Sequence, residues 1–213
     1  MPVPKGKQKP PARTADGTLI GVPPAYWEAL EKKNLDLLCA VALADAQPPA
    51  ALRLTFLNHS LVVDIRRREV TCADESFWLA ADRSLVELLV LVYLLNAKPR
   101  GLAGEMIGVP QLKDALFFQG PHLLDTGALI RRYGHDAEGF RAAAGRLAGK
   151  ALDMADAAFA LMPFPRIPLY YLLWQGDEEF EARLSILFDR SIEHHFAADA
   201  IWGTVNLVSR LLL

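Results

Sequence analysis

Three consecutive carboxylates, Asp177, Glu178 and Glu179, stand between two strongly apolar runs in the segment PLYYLLWQGDEEFEARLSILFD. Gly176 offers the backbone freedom that a tight strand-to-strand turn needs, and Asp is a common turn residue, so a solvated turn explains much of this pattern. A cation or a basic group on a ligand would also be attracted to three adjacent carboxylates, because it would relieve their mutual repulsion. Both interpretations stay open, and the second makes this acidic hairpin the leading candidate site.

A second polar group follows the next predicted strand. Asp189 can cap the predicted helix SIEHHF, which is the favoured interpretation, or it can join Glu193, four residues later on the same helical face, in an oxygen-rich site. The consecutive residues His194 and His195 diverge on a helix and are not expected to hold one metal ion together. Either histidine could act as an acid or base, and Arg190 could hold an anion.

Aromatic residues accompany the acidic hairpin on the preceding strand. Tyr170 and Trp174 are four residues apart and share one face of a strand, whereas Tyr171 lies on the other. Such residues are usually part of a core, although a planar ligand would stack on the same side chains.

Apolar periodicity predicts the elements that must position these residues. A helix is predicted over 25–46, with its apolar face including Leu37, and a later leucine-rich helix begins at Asp82, which is placed to cap it. Strands are predicted in two groups of three, followed in each group by a helix. The strands cover residues 52–57, 61–65 and 69–72 in the first group, and 157–162, 168–174 and 183–188 in the second.

The two groups show a matching pattern. LAADRSLVELLVLVYLL, beginning at Leu79, and FAADAIWGTVNLVSRLL, beginning at Phe196, share Ala-Ala-Asp and a final Leu-Leu in register. We therefore predict an α+β fold of small antiparallel three-stranded sheets packed with helices, with a duplicated β-β-β-α unit over 52–97 and 157–213. The alternative is that an Asp cap before a leucine-rich helix produces the match by chance.

Composition limits the class of protein. The chain has 213 residues with 52% hydrophobic content, and its 23 Lys and Arg nearly balance its 25 Asp and Glu. We predict one domain over 25–213 after a disordered Pro/Lys-rich tail over 1–24, no nucleic-acid partner and no membrane span. Cys39 and Cys72 form no CxxC motif, so a reducing cytoplasm is expected. The sequence identifies no cofactor.

The elements IPLYYLLWQGDEEF, LSILFD and SIEHHF, in this order, resemble the signature of a prokaryotic family described only as domain of unknown function 3786. The resemblance is specific over 167–196. It implies no catalytic residue. Relatives with cysteine-rich segments suggestive of an iron-sulfur cluster imply a setting in anaerobic redox or corrinoid metabolism, but this chain has no such cysteine cluster.

Three functions remain open from the sequence. The leading hypothesis is a cytoplasmic binding or accessory domain in which the acidic hairpin takes a small ligand, a cation or a partner protein. The alternative is an enzyme that uses Asp177, Glu178 or Glu179 as a general base, with His194 or His195 as the acid. The third is a purely structural hairpin that pairs with a second copy in a homodimer.

Overall fold

A computed structural model of the chain describes residues 22–213, apart from the side chain of Leu79. The predicted tail over 1–24 therefore lies almost wholly outside the described residues, and the first helix begins at Pro24. The helices are α1 (Pro24–Glu31), α2 (Leu35–Ala42), α3 (Glu75–Ala80), α4 (Arg83–Asn96), α5 (Gly127–Tyr133), α6 (Ala137–Arg146) and α7 (Ala198–Leu212). The strands are β1 (Asp45–Gln47), β2 (Ala51–Phe56), β3 (His59–Asp64), β4 (Glu69–Cys72), β5 (Met106–Ile107), β6 (Lys150–Leu152), β7 (Ala157–Phe164), β8 (Ile167–Trp174) and β9 (Arg183–Asp189).

The strands form two antiparallel sheets, which confirms the predicted α+β class. One sheet has the order β1-β2-β3-β4 and the other has the order β5-β9-β8-β7-β6. Each has more than the three predicted strands, because short edge strands with no long apolar run add to both. In the second sheet, β8 is buried on both faces, with seven of its eight residues buried.

The predicted single helix over 25–46 is wrong in detail, because the chain breaks it into two helices and a short strand. Asn34 interrupts the helix by accepting a hydrogen bond from the backbone N–H of Leu37 at 3.0 Å, which caps α2. Asn favours this role because its side chain competes for backbone groups at a helix start. The new start turns Leu37 outward, where it is 65% exposed instead of packed in the core.

The main core lies between the two sheets and the helices α4 and α7. Tyr93 of α4 stacks on Phe164 of β7 with ring centroids 4.7 Å apart, and Phe164 also meets Phe56 of β2 at 5.3 Å. The Tyr93 hydroxyl donates to the carbonyl oxygen of Ala42 at 2.8 Å. One cluster of buried side chains thus joins residues from both sheets.

The order of elements recurs along the chain. Two helices, four antiparallel strands, a short helix and a long helix occur first as α1 to α4, and again from α5 through α7, where the short helix is a 3-10 helix over Arg190–His194. The two Ala-Ala-Asp segments differ, however. Asp82 caps α4 through the N–H of Leu85, whereas Asp199 lies inside the first turn of α7, whose N-cap is Ala197. Duplication stays a prediction.

None of the helices in the described part of the chain is both long enough and apolar enough to cross a bilayer.

Candidate functional site

The acidic hairpin is a loop over residues 175–182 that joins β8 to β9, and we call it the acidic loop. Asp177 fixes its shape. One carboxylate oxygen accepts from the backbone N–H groups of Glu179 at 2.8 Å and Phe180 at 2.7 Å, and the N–H of Asp177 donates to the Phe180 carbonyl at 2.9 Å. These N–H groups, that of Phe180 foremost, hold the pKa of Asp177 below its usual value. This acid is therefore part of the turn.

The base of the acidic loop is anchored at several points. The Gly176 N–H donates to the carbonyl of Gly134 at 3.0 Å, and the Gln175 N–H donates to an Asp156 carboxylate oxygen at 2.8 Å. A Cβ atom at Gly176 would lie 2.8 Å from both the Ala182 nitrogen and a carbon of His135, so only glycine fits. These contacts fix the position of the base of the acidic loop.

The other acidic side chains of the acidic loop lie at the protein surface. Glu178, Glu179 and Glu181 are exposed, and Phe180 between them is 69% exposed. Within residues 22–213, none of these three glutamates forms an ion pair. The loop thus presents an exposed aromatic ring flanked by unpaired negative charge.

Asp189, at the other end of β9, is 1% exposed and fully engaged. Its two oxygens accept from the N–H groups of Ala103 at 2.8 Å, Gly104 at 2.7 Å and Ser191 at 2.9 Å, and from the Ser191 hydroxyl at 2.5 Å. Burial works to raise the pKa of Asp189, but the hydrogen bonds from Ser191, Ala103 and Gly104 outweigh it and the pKa is lowered. Asp189 is the N-cap of the following helix, as predicted.

Glu193 and Arg190 are also occupied by local contacts. Glu193 accepts from the N–H of Lys113 at 2.5 Å, while Arg190 pairs with Glu105 at 2.5 and 2.7 Å. The segment is a 3-10 helix with three residues per turn, so residues four apart do not share a face. The prediction that Asp189 and Glu193 lie on one helical face is therefore wrong.

His194 and His195 diverge, as expected for consecutive residues. His194 is exposed, with Nε2 3.5 Å from a guanidinium nitrogen of Arg100. His195 is 1% exposed, and its Nδ1 accepts from the N–H of Lys98 at 3.2 Å. Burial, helped by the positive charge of Arg166, lowers the pKa of His195 to about 4, so the ring is neutral at physiological pH.

The aromatic residues of β8 pack as structural residues. Tyr171 lies in the main core, and its hydroxyl is 3.0 Å from the hydroxyl of Ser209. Tyr170 belongs to a smaller cluster on the opposite face of the sheet, against which Trp174 packs. The guanidinium carbon of Arg183 lies over the Trp174 ring, 4.1 Å from its centroid. The predicted sharing of one face by Tyr170 and Trp174 agrees with this arrangement.

The structure therefore places the predicted site residues in two separate groups. The acidic loop precedes the seven-residue strand β9, and the group from Asp189 to His195 follows it. At about 3.3 Å per residue, the two groups lie about 20 Å apart. In the part of the chain that the structure describes, no three His, Cys, Asp or Glu side chains are grouped so as to hold a metal ion.

The structure also shows a feature that the sequence reasoning missed, an open groove of about 360 Å³ along the outer edge of β9. Its floor is residues 184–187, and we call it the β9 groove. The only sequence signal is Pro110, which follows the short strand β5 and directs the chain away from the sheet. The groove is lined by Gly108, Val109, Pro110, Phe118, Leu123, Leu124, Thr126, Leu184, Ser185, Ile186 and Leu187.

Comparison with protein families found a match over residues 36–211 to the model described as "Domain of unknown function (DUF3786)". Neither the curated proteins nor the solved structures gave a match.

Proposed function

Since the chain belongs to the DUF3786 family, whose description assigns no activity, we propose from its geometry that it is a binding or accessory domain that recognises a partner protein through the acidic loop. The observation that carries this proposal is Phe180, which is 69% exposed on an anchored loop, between glutamates that form no ion pair in the described part of the chain. Aromatic residues are enriched among the few residues that dominate the binding energy of protein interfaces. A basic, partly apolar partner surface would complement it.

The geometry favours a protein partner over the alternatives. A caged cation needs converging carboxylates, whereas Asp177 is engaged by backbone N–H groups and no three His, Cys, Asp or Glu side chains converge within residues 22–213. The enzyme alternative pairs these acids with His194 or His195, which lie beyond the far end of β9. The histidine beside the acidic loop is His135, whose Nδ1 lies 3.2 Å from the carbonyl oxygen of Gly176 at the base of the loop.

We place the domain in the cytoplasm of a prokaryote as part of this proposal. Both cysteines are free, with Cys39 buried and Cys72 partly buried, which suits a reducing compartment. The setting in anaerobic redox or corrinoid metabolism implied by the family resemblance is proposed on that resemblance alone.

The test compares two triple variants of the full chain. Proteins retained from a native lysate by the immobilised wild-type chain are identified, purified and titrated against Glu178→Gln/Glu179→Gln/Phe180→Ser. The control carries the same kinds of change at three exposed positions far along the sequence, Glu28→Gln, Glu75→Gln and Leu37→Ser.

We expect the loop variant to weaken binding at least about tenfold, because hot-spot aromatic residues dominate interface energies and complementary charges speed association. The control variant should bind like the wild type, and added salt should weaken the wild-type complex. If every retained protein binds the loop variant as tightly as it binds the wild type, the proposal is wrong.

A further inference from the structure

The outer edge of β9 is paired over only part of its length. β5 pairs with Phe188 and Asp189, and the Arg190 N–H donates to the Glu105 carbonyl at 2.9 Å beyond them. In an antiparallel ladder, every second residue directs its N–H and C=O to the same side. The backbone groups of Ile186 and Leu184 therefore point to the same edge as those of Arg190 and Phe188.

Within residues 22–213, these groups meet no partner strand. After Ile107 the chain leaves the sheet, because the Gly108 N–H donates to the side chain of Gln111 at 2.7 Å and Val109–Gln111 forms a 3-10 turn. Among the described residues, no backbone or side-chain group forms a hydrogen bond with Leu184 or Ile186 across this edge. An unpaired strand edge is a ready template for another strand.

The walls beside this edge are apolar. The apolar residues that line the β9 groove beside the strand are Val109, Pro110, Phe118, Leu123 and Leu124. Leu123 is 63% exposed. A groove of this kind, with main-chain hydrogen bonds on its floor and pockets for alternate side chains, is how sheet edges bind extended peptides.

We infer that the β9 groove binds an extended segment of the partner protein, which adds a strand to the second sheet beside Leu184 and Ile186. This inference rests on the proposed function and names the form in which the partner binds. Charge identifies one end of the segment. Glu178, Glu179 and Glu181 lie in the acidic loop that leads into β9 and form no ion pair among the described residues, so a Lys or Arg of the segment belongs at this end. Arg183, the first residue of β9, lies over the Trp174 ring instead of pairing with these acids.

The groove favours a single strand over a second copy of the whole sheet. Residues of three other segments, at 108–110, 118 and 123–126, line the groove beside β9, whereas edge-to-edge pairing of two sheets needs an unobstructed edge. The segment expected has Lys or Arg at one end and apolar or β-branched residues at alternate positions, because only alternate side chains face the groove.

The experiment uses the full chain and a phage-displayed library of random nine-residue peptides. We expect selection of peptides with the pattern above, and synthetic copies with N-methyl groups at alternate residues should bind at least about tenfold more weakly. N-methylation removes the peptide N–H donors and leaves the protein unchanged, so this measurement does not depend on a variant that folds.

Two protein variants separate the inference from the proposed function. Thr126→Trp fills the groove, at a position whose side chain makes no capping hydrogen bond, and should abolish peptide binding. Glu178→Gln/Glu179→Gln should remove only the preference for a basic end and the salt dependence. If Glu178→Gln/Glu179→Gln weakens peptide binding but N-methylation of the peptide does not, the acidic loop is still a binding surface and strand addition is wrong.

If N-methylation weakens peptide binding but Glu178→Gln/Glu179→Gln leaves binding and its salt dependence unchanged, the proposed role of the acidic loop is wrong instead. The absence of any selected peptide overturns the inference. Sedimentation that shows a dimer, dissociated by Thr126→Trp, also overturns it, because the occupant of the groove would then be a second copy of the chain.

Discussion

Carboxylates lie near both ends of β9, but they are buried at one end and exposed to solvent at the other. Asp189 is buried and its oxygens accept four hydrogen bonds, whereas Glu178 and Glu179 are exposed and unpaired among the described residues. A carboxylate is tolerated inside a protein only when such bonds replace water. The comparison separates acids that hold the fold from acids that are free to meet a partner.

The first prediction tests whether Asp189 stabilises the fold, and its substitution has the largest expected effect on stability. Asp189→Asn replaces one acceptor oxygen by an N–H₂ group that faces backbone donors, so we expect a loss of about 3 kcal/mol in the free energy of unfolding. Chemical denaturation measures it. Asp177→Asn is the matched control, because one amide oxygen can still accept both N–H bonds of this exposed turn, and it should lower the denaturation midpoint much less than Asp189→Asn does.

A second prediction concerns the pH dependence that the buried end of β9 creates through His195. The pKa of His195 is about 4 in the folded chain, against about 6.5 for an unfolded histidine. Between these values the unfolded chain binds a proton that the folded chain does not, so lowering the pH favours unfolding. Stability is complete above about pH 6.5 and falls by up to about 3 kcal/mol as the pH approaches 4.

Denaturation between pH 7 and pH 4 measures this loss. His195→Gln should flatten most of the slope, whatever its effect on absolute stability, while His194→Gln should leave the slope as it is, since His194 is exposed. The lowered pKa of Asp189 acts only below about pH 4, outside this range. If the slope is unchanged in His195→Gln, folding does not lower the pKa of His195, and the ring is protonated in the folded chain between pH 6.5 and pH 4.

A third prediction separates the anchored base of the acidic loop from its free tip. Gly176→Ala would place a Cβ atom 2.8 Å from the Ala182 nitrogen, so the loop must shift, and we expect a loss of about 1 to 3 kcal/mol. Gly145→Ala in α6 is the control, because nothing lies within 4 Å of its added Cβ atom. It should gain about 0.5 to 1 kcal/mol from helix propensity. Equal effects on thermal unfolding would mean that the base is not anchored.

The contrast between the two ends of β9 also shows how much the sequence could predict. The long elements are correct, since apolar periodicity predicted β7, β8, β9, α4 and α7 within a few residues. The capping roles of Asp82 and Asp189 followed from local chemistry. Asn34 was missed as a helix start because the apolar pattern continues across it.

The site was predicted less well, because its geometry depends on distant contacts. Glu193 is fixed by the N–H of Lys113, and Gly176 by Gly134, neither of which is near in sequence. The 3-10 form of Arg190–His194 also changed which residues share a face. The open edge of β9 arises from where β5 ends, which no property of β9 itself indicates.

The smallest effect on stability is expected for the exposed glutamates of the acidic loop. Glu178→Gln/Glu179→Gln removes two exposed, adjacent charges and no buried partner, so the melting temperature should stay the same or rise slightly. Binding should respond in the opposite way. A partner that binds only the folded chain raises the melting temperature by mass action, and the double variant should lose most of that rise. A marked fall in melting temperature without any partner would instead show that these glutamates stabilise the fold, as Asp189 does.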